Sequence, residues 1–265
     1  MNLDISSLIG ILIAAAGVIA GLLLEGGHFG QVLQPTAALI VFGGTAGAVM
    51  LQFPLSTVLA AVRSLSRLFV PEPLDGEMVV KQILAYANKA RRSGIVSLDP
   101  DLGSIRDPFF RQTLMLAVDG TEPSELRRIM EFAIDNQAEL DEKIPEVFES
   151  AGGFSPTIGI IGAILGLIQV MQHLDHIDEV GRGIAVAFVA TIYGVAAANL
   201  LFLPAAGKLR LRLRDEQQMK EMKLEGVISI LEGMHPRMVE IKLRSFLNAK
   251  QDLAKSPIDI TEGVA

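Results

Sequence analysis

FSPTIGIIGAILGLIQVM (residues 154–171) and GIAVAFVATIYGVAAANLLFLPAA (residues 183–206) decide how this chain is read. Neither stretch contains Asp, Glu, Lys, Arg or His. Each is long enough to cross a bilayer as a helix. The connection HLDHIDEVGR (residues 173–182) is short and acidic, so the two stretches read as a membrane hairpin. Both carry polar or helix-bending residues: Ser155, Pro156 and Thr157 in the first, Thr191, Tyr193, Asn199 and Pro204 in the second. A plain anchor has no use for such residues. A narrow, hydroxyl-bearing path that must flex does.

A second hairpin stands at the N-terminus. Ile5–Leu24 and Val32–Phe53 are uncharged spans joined by EGGHFGQ (residues 25–31). The opening MNLDISSLIG carries an acid and no basic residue, which argues for a retained first span rather than a cleaved leader. Half of the 265 residues are apolar, and they sit in blocks rather than at a uniform helix or strand period. Between the hairpins the composition inverts: Arg63–Glu149 holds 11 basic and 16 acidic residues. Apolar spacing predicts helices there. Glu77–Arg92 aligns Val80, Ile83, Leu84 and Ala87 on one face, and Asp107–Val118 stops at Asp119-Gly120. Glu122–Glu149 has Pro123 in its first turn and is expected to kink or break at Pro145. The expected fold is an all-α integral membrane protein, with four transmembrane helices and a helical cytoplasmic domain between the second and third. The expected division is 1–54 (first hairpin), 55–150 (cytoplasmic domain), 151–207 (second hairpin) and 208–265 (C-terminal helix and tail).

Basic residues orient the spans. Arg63 and Arg67 follow the second span, and Lys208, Arg210, Arg212 and Arg214 follow the fourth, whereas both connecting turns are acidic or nearly neutral. The central domain and both termini are therefore expected in the cytoplasm.

Several chemistries are disfavoured. The chain has no Cys, so thiolate and disulfide chemistry is absent. His173 and His176 lie three apart but lack the rest of a ligand set, so no metal site is expected. A net charge of −7 argues against nucleic acid. No Ser/His pair, Asp pair or His/Glu set lies at membrane depth, so neither an enzyme nor a cofactor is expected.

Small residues recur at helical spacing: Gly17 and Gly21, Gly43 and Gly47, Gly162 and Gly166, then Ala190, Gly194 and Ala198. In lipid such stripes let backbones approach closely, within one bundle or between copies. The missing ionisable group says more. Ion-moving membrane proteins usually place one at membrane depth. If protons cross here, another polypeptide must bring the titrating group, and this chain supplies hydroxyls and freed backbone carbonyls. A passive, non-conducting scaffold is the competing reading of the same residues.

The run FSPTIGIIGAILGLIQVMQHLD (154–175), GIAVAFVATIYGVAAANLLFLPAAGKL (183–209), ARRSGIVSLD (90–99), LAVDG (116–120) and LEGVISILEGMHPRMVEIKL (224–243) resembles the MotA/PomA family, the larger stator subunit of the bacterial flagellar motor. The resemblance covers roughly residues 3–248 and is strongest to the branch that includes second, auxiliary stator sets. It implies a pentameric ring around two copies of a smaller partner in the bacterial inner membrane. That partner has one membrane helix with an essential aspartate and a periplasmic domain that binds peptidoglycan. Ion flow past the aspartate would turn the ring against the rotor's switch complex. The resemblance further implies that Pro156 and Pro204 couple ion flow to movement, that Thr191 lines the ion site, and that Arg91, Arg92 and Asp99 meet the rotor. Ala163, Thr157 and Ser155 would surround the ion path, and Asp101 would flank the rotor contact. Pro100 and Leu102 stand where some members carry further acids. Sodium-driven members resemble one another in having threonine where this chain has Ala163. A desolvated hard cation needs oxygen ligands, so Ala163 favours protons. The ExbB/TolQ energisers resemble the last two spans within a three-span plan. The extra hairpin Ile5–Phe53 favours the flagellar type.

Overall fold

The computed structural model describes residues 4–69, 75–172, 174–175 and 177–255, with the backbone alone at positions 29, 67, 177–179 and 248–255. Among these residues every regular element is helical. Helix α1 (Ile5–Leu24) begins at Asp4, whose carboxylate accepts the Ser7 N–H at 3.2 Å and so satisfies one orphan donor of the first turn. Helix α2 (Pro35–Gln52) starts three residues later than the apolar run, because Pro35 sets its first turn, and it contains a π turn at Leu39–Gly43. Next come α3 (Leu55–Phe69), α4 (Gly76–Ser93), a 3₁₀ stretch (Ile95–Ser104) and α5 (Pro108–Val118). Helix α6 (Pro123–Gln172) is 50 residues long. Helix α7 (Ile177–Ala196) passes through a π turn (Ala197–Phe202) into α8 (Leu203–Leu231), and α9 (Pro236–Lys255) follows. Four helical stretches are long and apolar enough to cross a membrane: α1, α2, α6 and the α7–α8 run.

The chain forms two compact units, and they cut it differently from the expected division. The first comprises the described residues of Met1–Glu72 and Leu140–Arg212; the second comprises those of Pro73–Glu139 and Leu213–Ala265. The block expected over 55–150 is thus shared, and its middle joins the C-terminal helices rather than standing apart from them. The reason is burial. In α3, Ala61 and Leu68 pack with Val147, Phe148, Ala151, Ala206 and Leu209 in the first unit. In the second unit, Val80, Ile83, Leu98, Phe110, Leu114, Leu126 and Met130 share one core with Met222, Val227, Ile228, Val239 and Leu243. The periodic residues of α4 behave as expected, except that Tyr86 is also buried and Leu84 is only partly so.

Pro145 does not end its helix, since α6 runs through both Pro145 and Pro156. A proline inside a helix costs about 3 kcal/mol. Val147, Phe148 and Ala151, all buried within six residues of Pro145, offset that cost by packing.

The α6/α7 crossing is made of backbone. A β-carbon at Gly159 would lie 2.8 Å from the Ala190 carbonyl oxygen, and one at Gly166 would lie 2.8 Å from that of Gly183. One at Gly194 would run into the Ser155 carbonyl oxygen. Gly162 is also filled against, with Ala190 Cβ at 2.8 Å and Ile40 Cγ2 at 3.3 Å from its missing β-carbon. By contrast, a β-carbon at Gly17, Gly21, Gly43 or Gly47 would meet no other part of the described residues within 4 Å beyond its own helix backbone. Gly194→Val should therefore destabilise the protein by about 3 kcal/mol, the upper end of overpacking costs, as read by thermal unfolding of the purified chain. Gly17→Ala should cost less than about 0.5 kcal/mol in the isolated chain. A larger loss only in the assembled state would locate an inter-chain contact at that stripe.

Candidate functional site

The uncharged hairpin places its hydroxyls on backbone carbonyls. Ser155, fully buried, donates through Oγ to the Gly194 carbonyl at 2.9 Å and so joins α6 to α7 at their closest approach. Thr191, half-buried one turn before Gly194, donates to the Ala187 carbonyl of its own helix at 3.2 Å. Its Cα lies 3.4 Å from where a Gly159 β-carbon would be, so it sits at the same crossing. Thr157 is exposed and donates to Phe154 at 2.8 Å; Asn199 is exposed and donates to Val195 at 2.9 Å. Each hydroxyl proton is thus spent on a helix carbonyl, leaving the oxygen lone pairs as acceptors. Ala163, next to the packed Gly162, is half-buried and presents no side-chain oxygen.

The two prolines occupy different surroundings. Pro156 lies inside α6 at the crossing, with its Cα 3.2 Å from the position a Gly194 β-carbon would take. Pro204 is exposed and follows directly on the π turn Ala197–Phe202. A π turn already departs from the regular hydrogen-bond ladder, so a proline beside it breaks little more.

Two membrane residues carry more than their place in the sequence shows. The Tyr193 hydroxyl donates to the Val32 carbonyl at 2.6 Å and accepts the Gln34 N–H at 3.4 Å, tying α7 to the chain entering α2. Thr45 in α2 is buried, and its hydroxyl has no hydrogen-bond partner. The only signal for either was a polar side chain within an apolar run.

At the ends of the spans the basic residues find partners. Lys208 pairs with Asp4 at 2.5 Å, and Arg212 pairs with Asp4 at 2.8 Å and donates to the Leu68 carbonyl at 3.0 Å. The Asp4 N–H donates to the Phe69 carbonyl at 2.9 Å. The start of α1 and the exit of the fourth span therefore lie on one side of the first unit. Hydrogen bonds from Lys208 and then Ser6 hold the Asp4 carboxyl far below the usual range. Arg210 grips Glu142 at 2.5 Å and Glu149 at 2.8 Å, two turns of α6 on either side of Pro145.

In the second unit, Gly94 (φ +77°) ends α4 and turns the chain into the 3₁₀ stretch. Arg91 and Arg92 fill the last turn of α4 and are exposed, as is Asp99, and none of the three has an ion-pair partner among the described residues. Asp101 separates from them by pairing with Lys89 at 2.7 Å. Two partly buried carboxylates brace the core. Burial opposes ionisation of Asp107, but hydrogen bonds from Lys223 and the Phe110 N–H outweigh it and hold its carboxyl low. Burial likewise opposes ionisation of Glu225, and hydrogen bonds from Lys242 and Arg127 outweigh it. His173 and His176 lie outside the described residues. No group of three metal-ligating side chains occurs among the described residues.

The comparisons with known proteins bear on this geometry. Residues 8–93 match a family model described as Motility protein A N-terminal, and residues 102–222 match the MotA/TolQ/ExbB proton channel family. Motility protein A of Bacillus subtilis is 35% identical over 253 residues, spanning 95% of this chain and 93% of the relative. The chain belongs to the MotA/TolQ/ExbB proton channel family. It is a multi-pass membrane protein and a homologue of motility protein A. The solved flagellar MotAB stator complex of Bacillus subtilis matches at a TM-score of 0.85 and 34% identity, covering 96% of this chain and 100% of that one. The MotAB structure of C. jejuni matches at a TM-score of 0.87 and 29% identity, covering 98% and 100%. The family is one of channels rather than enzymes, and the site offers hydroxyl and backbone oxygens at a close backbone crossing.

Two tests follow from the geometry. Ser155→Ala removes the interhelical hydrogen bond and should cost about 0.6 kcal/mol, up to about 1.7, in thermal unfolding. Asp107 and Glu225 have depressed folded-state pKa values, so their stabilisation is complete above the usual carboxylate range and is lost as pH falls through and below about 4. Hydrogen exchange of the full chain should show residues around Phe110 and Val227 losing protection on that descent. Asp107→Asn should lessen the pH dependence.

Proposed function

We propose that this chain is the ring-forming, ion-conducting stator subunit of a bacterial flagellar motor, which couples proton flow across the inner membrane to torque on the rotor. One observation carries the reading. A chain that matches MotAB structures along nearly its whole length has no Asp, Glu, Lys, Arg or His in either span of its second hairpin. Its path therefore needs a partner to bring the titrating group. That partner is a smaller subunit with one membrane helix, an aspartate and a peptidoglycan-binding domain. Several copies of this chain, five in our reading, enclose two partner helices. Thr191, Ala163, Thr157 and Ser155 surround the aspartate, with Ser155 holding the wall together and Thr191 presenting its lone pairs.

Protons suit this surround better than sodium. A proton moves along water and a carboxylate, while sodium needs several fixed oxygens, and Ala163 offers none from its side chain. Pro156, at the backbone crossing, and Pro204, beside the π turn, are the flexing points through which a change at the aspartate moves the helices. Arg91, Arg92 and Asp99 contact the switch complex, and Asp101 positions their loop through Lys89. The central segment, the start of α1 and the C-terminal helices face the cytoplasm. The Asp4–Lys208 pair supports one common side for the start of α1 and the exit of the fourth span, and the basic residues after spans two and four support the cytoplasmic side. The motif run supports kinship with the branch that includes auxiliary stator sets. An ExbB/TolQ-type energiser is the second reading, and the match of residues 8–93 to the motility protein A N-terminal model weighs against it.

Arg91→Glu and Asp99→Lys should each lower swimming speed severalfold while the chain still co-purifies with its partner. Loss of co-purification would give those residues a structural role instead. Motor speed should follow the proton gradient and ignore external sodium at constant pH. Speed that tracks sodium would overturn the assignment of the ion.

A further inference from the structure

Helix α1 has no buried residue along its whole length. It is held at one end, where Asp4 meets Lys208, Arg212 and the Phe69 carbonyl, and above that point it stands off from the fourth span. The gap is a cavity of about 580 Å³ lined by apolar side chains, among them Ile11, Leu65, Phe69, Phe148 and Leu201, with Ser7 and Lys208 also on its wall. A second cavity of about 230 Å³ shares Ile11, Ala14, Leu200 and Leu201 with it and continues to Phe42 and Tyr193. Together they form one slot running from Lys208 to Tyr193. Those residues are fifteen apart on a helical path, roughly 22 Å at 1.5 Å per residue. That exceeds half of a hydrocarbon core roughly 30 Å thick, so the slot is about one leaflet long.

The charged end of the slot is unbalanced. Among the described residues Lys208 and Arg212 pair with one carboxylate, Asp4, which leaves this cluster with one excess positive charge. Ser7 accepts a further hydrogen bond from Lys208, and Arg212 Nη1 is buried without a partner. Lys208 lies two residues beyond the uncharged span and Asp4 directly precedes α1, so this end sits at headgroup depth.

We propose that the slot between α1 and the fourth span binds one anionic phospholipid per chain, its acyl chain lying along Ile11, Ala14 and Leu200 and its phosphate meeting Lys208 and Arg212. The bound lipid completes the packing of α1 and rests against the π turn and Pro204, which line the same cavity. This goes beyond conduction: it makes the mobility of the fourth span sensitive to the composition of one leaflet.

The test uses the full complex of this chain with its partner, exchanged into nanodiscs of equal phosphatidylglycerol and phosphatidylcholine and then stripped and weighed by native mass spectrometry. Phosphatidylglycerol should be retained in preference, up to one per copy of this chain. Lys208→Gln should weaken retention about fivefold, the loss expected for one basic residue at an anionic surface. Ala14→Phe, which fills the slot, should reduce retention of both lipids. Asp4→Asn increases the excess of positive charge and should keep or strengthen retention, even where it lowers the melting temperature. Equal retention of the two lipids would overturn the proposal, as would wild-type retention in Lys208→Gln or loss of lipid in Asp4→Asn. So would imaging that shows a second copy's side chains filling the slot.

Discussion

The backbone-to-backbone crossing of α6 and α7 is the constraint on which the membrane half of this protein depends. Lipid tails are as apolar as leucine, so burying more leucine gives two membrane helices no reason to stay together. Close approach does, and it is available only where no β-carbon intervenes. Gly159, Gly166 and Gly194 each put a helix against the other helix's carbonyl oxygen or backbone. Ser155 adds a hydrogen bond across the seam, to the carbonyl of Gly194 itself. Pro156 and Thr191 occupy that seam too, so the residues suited to flexing and to presenting oxygen are carried by the most tightly packed part of the hairpin.

The seam also explains why the charged groups lie where they do. Its interior has no room for a solvated side chain, and a charge there would be costly. Ionisable residues appear instead at the ends of the spans, already paired: Asp4 with Lys208 and Arg212, and Arg210 with Glu142 and Glu149. The second unit uses the same device around an apolar core, where Lys223 braces Asp107 and Arg127 and Lys242 brace Glu225. Arg91, Arg92 and Asp99 are exposed and have no ion-pair partner among the described residues, as is also true of Lys81, Arg106 and Arg111.

Much of this was legible in the chain. The first span was read at the bounds α1 takes, and the uncharged hairpin lies within α6 and the α7–α8 run. Most of the buried face of α4 followed from apolar spacing, and the end of α5 from Asp119-Gly120, where Gly120 is at positive φ. What went unread has a common cause. Pro145 reads locally as a break, yet packing from Val147 and Phe148 overrides that preference. Asp101 reads as one of a charged group, yet its partner Lys89 lies twelve residues away, on the preceding helix. The role of Tyr193 depends on carbonyl and amide groups about 160 positions earlier in the chain.

Sequence by itself determined the elements, the number of spans and the absence of Asp, Glu, Lys, Arg and His from both spans of the second hairpin, because these depend on composition and on periods of a few residues. Only the tertiary structure decided which glycine stripes are used within the chain and which stay open. The motifs are alike in sequence, but Gly162 and Gly166 meet another helix while Gly17, Gly21, Gly43 and Gly47 meet none among the described residues. It also decided that the C-terminal helices share a core with the central segment, since residues distant in sequence can share burial only once the chain has folded back on itself.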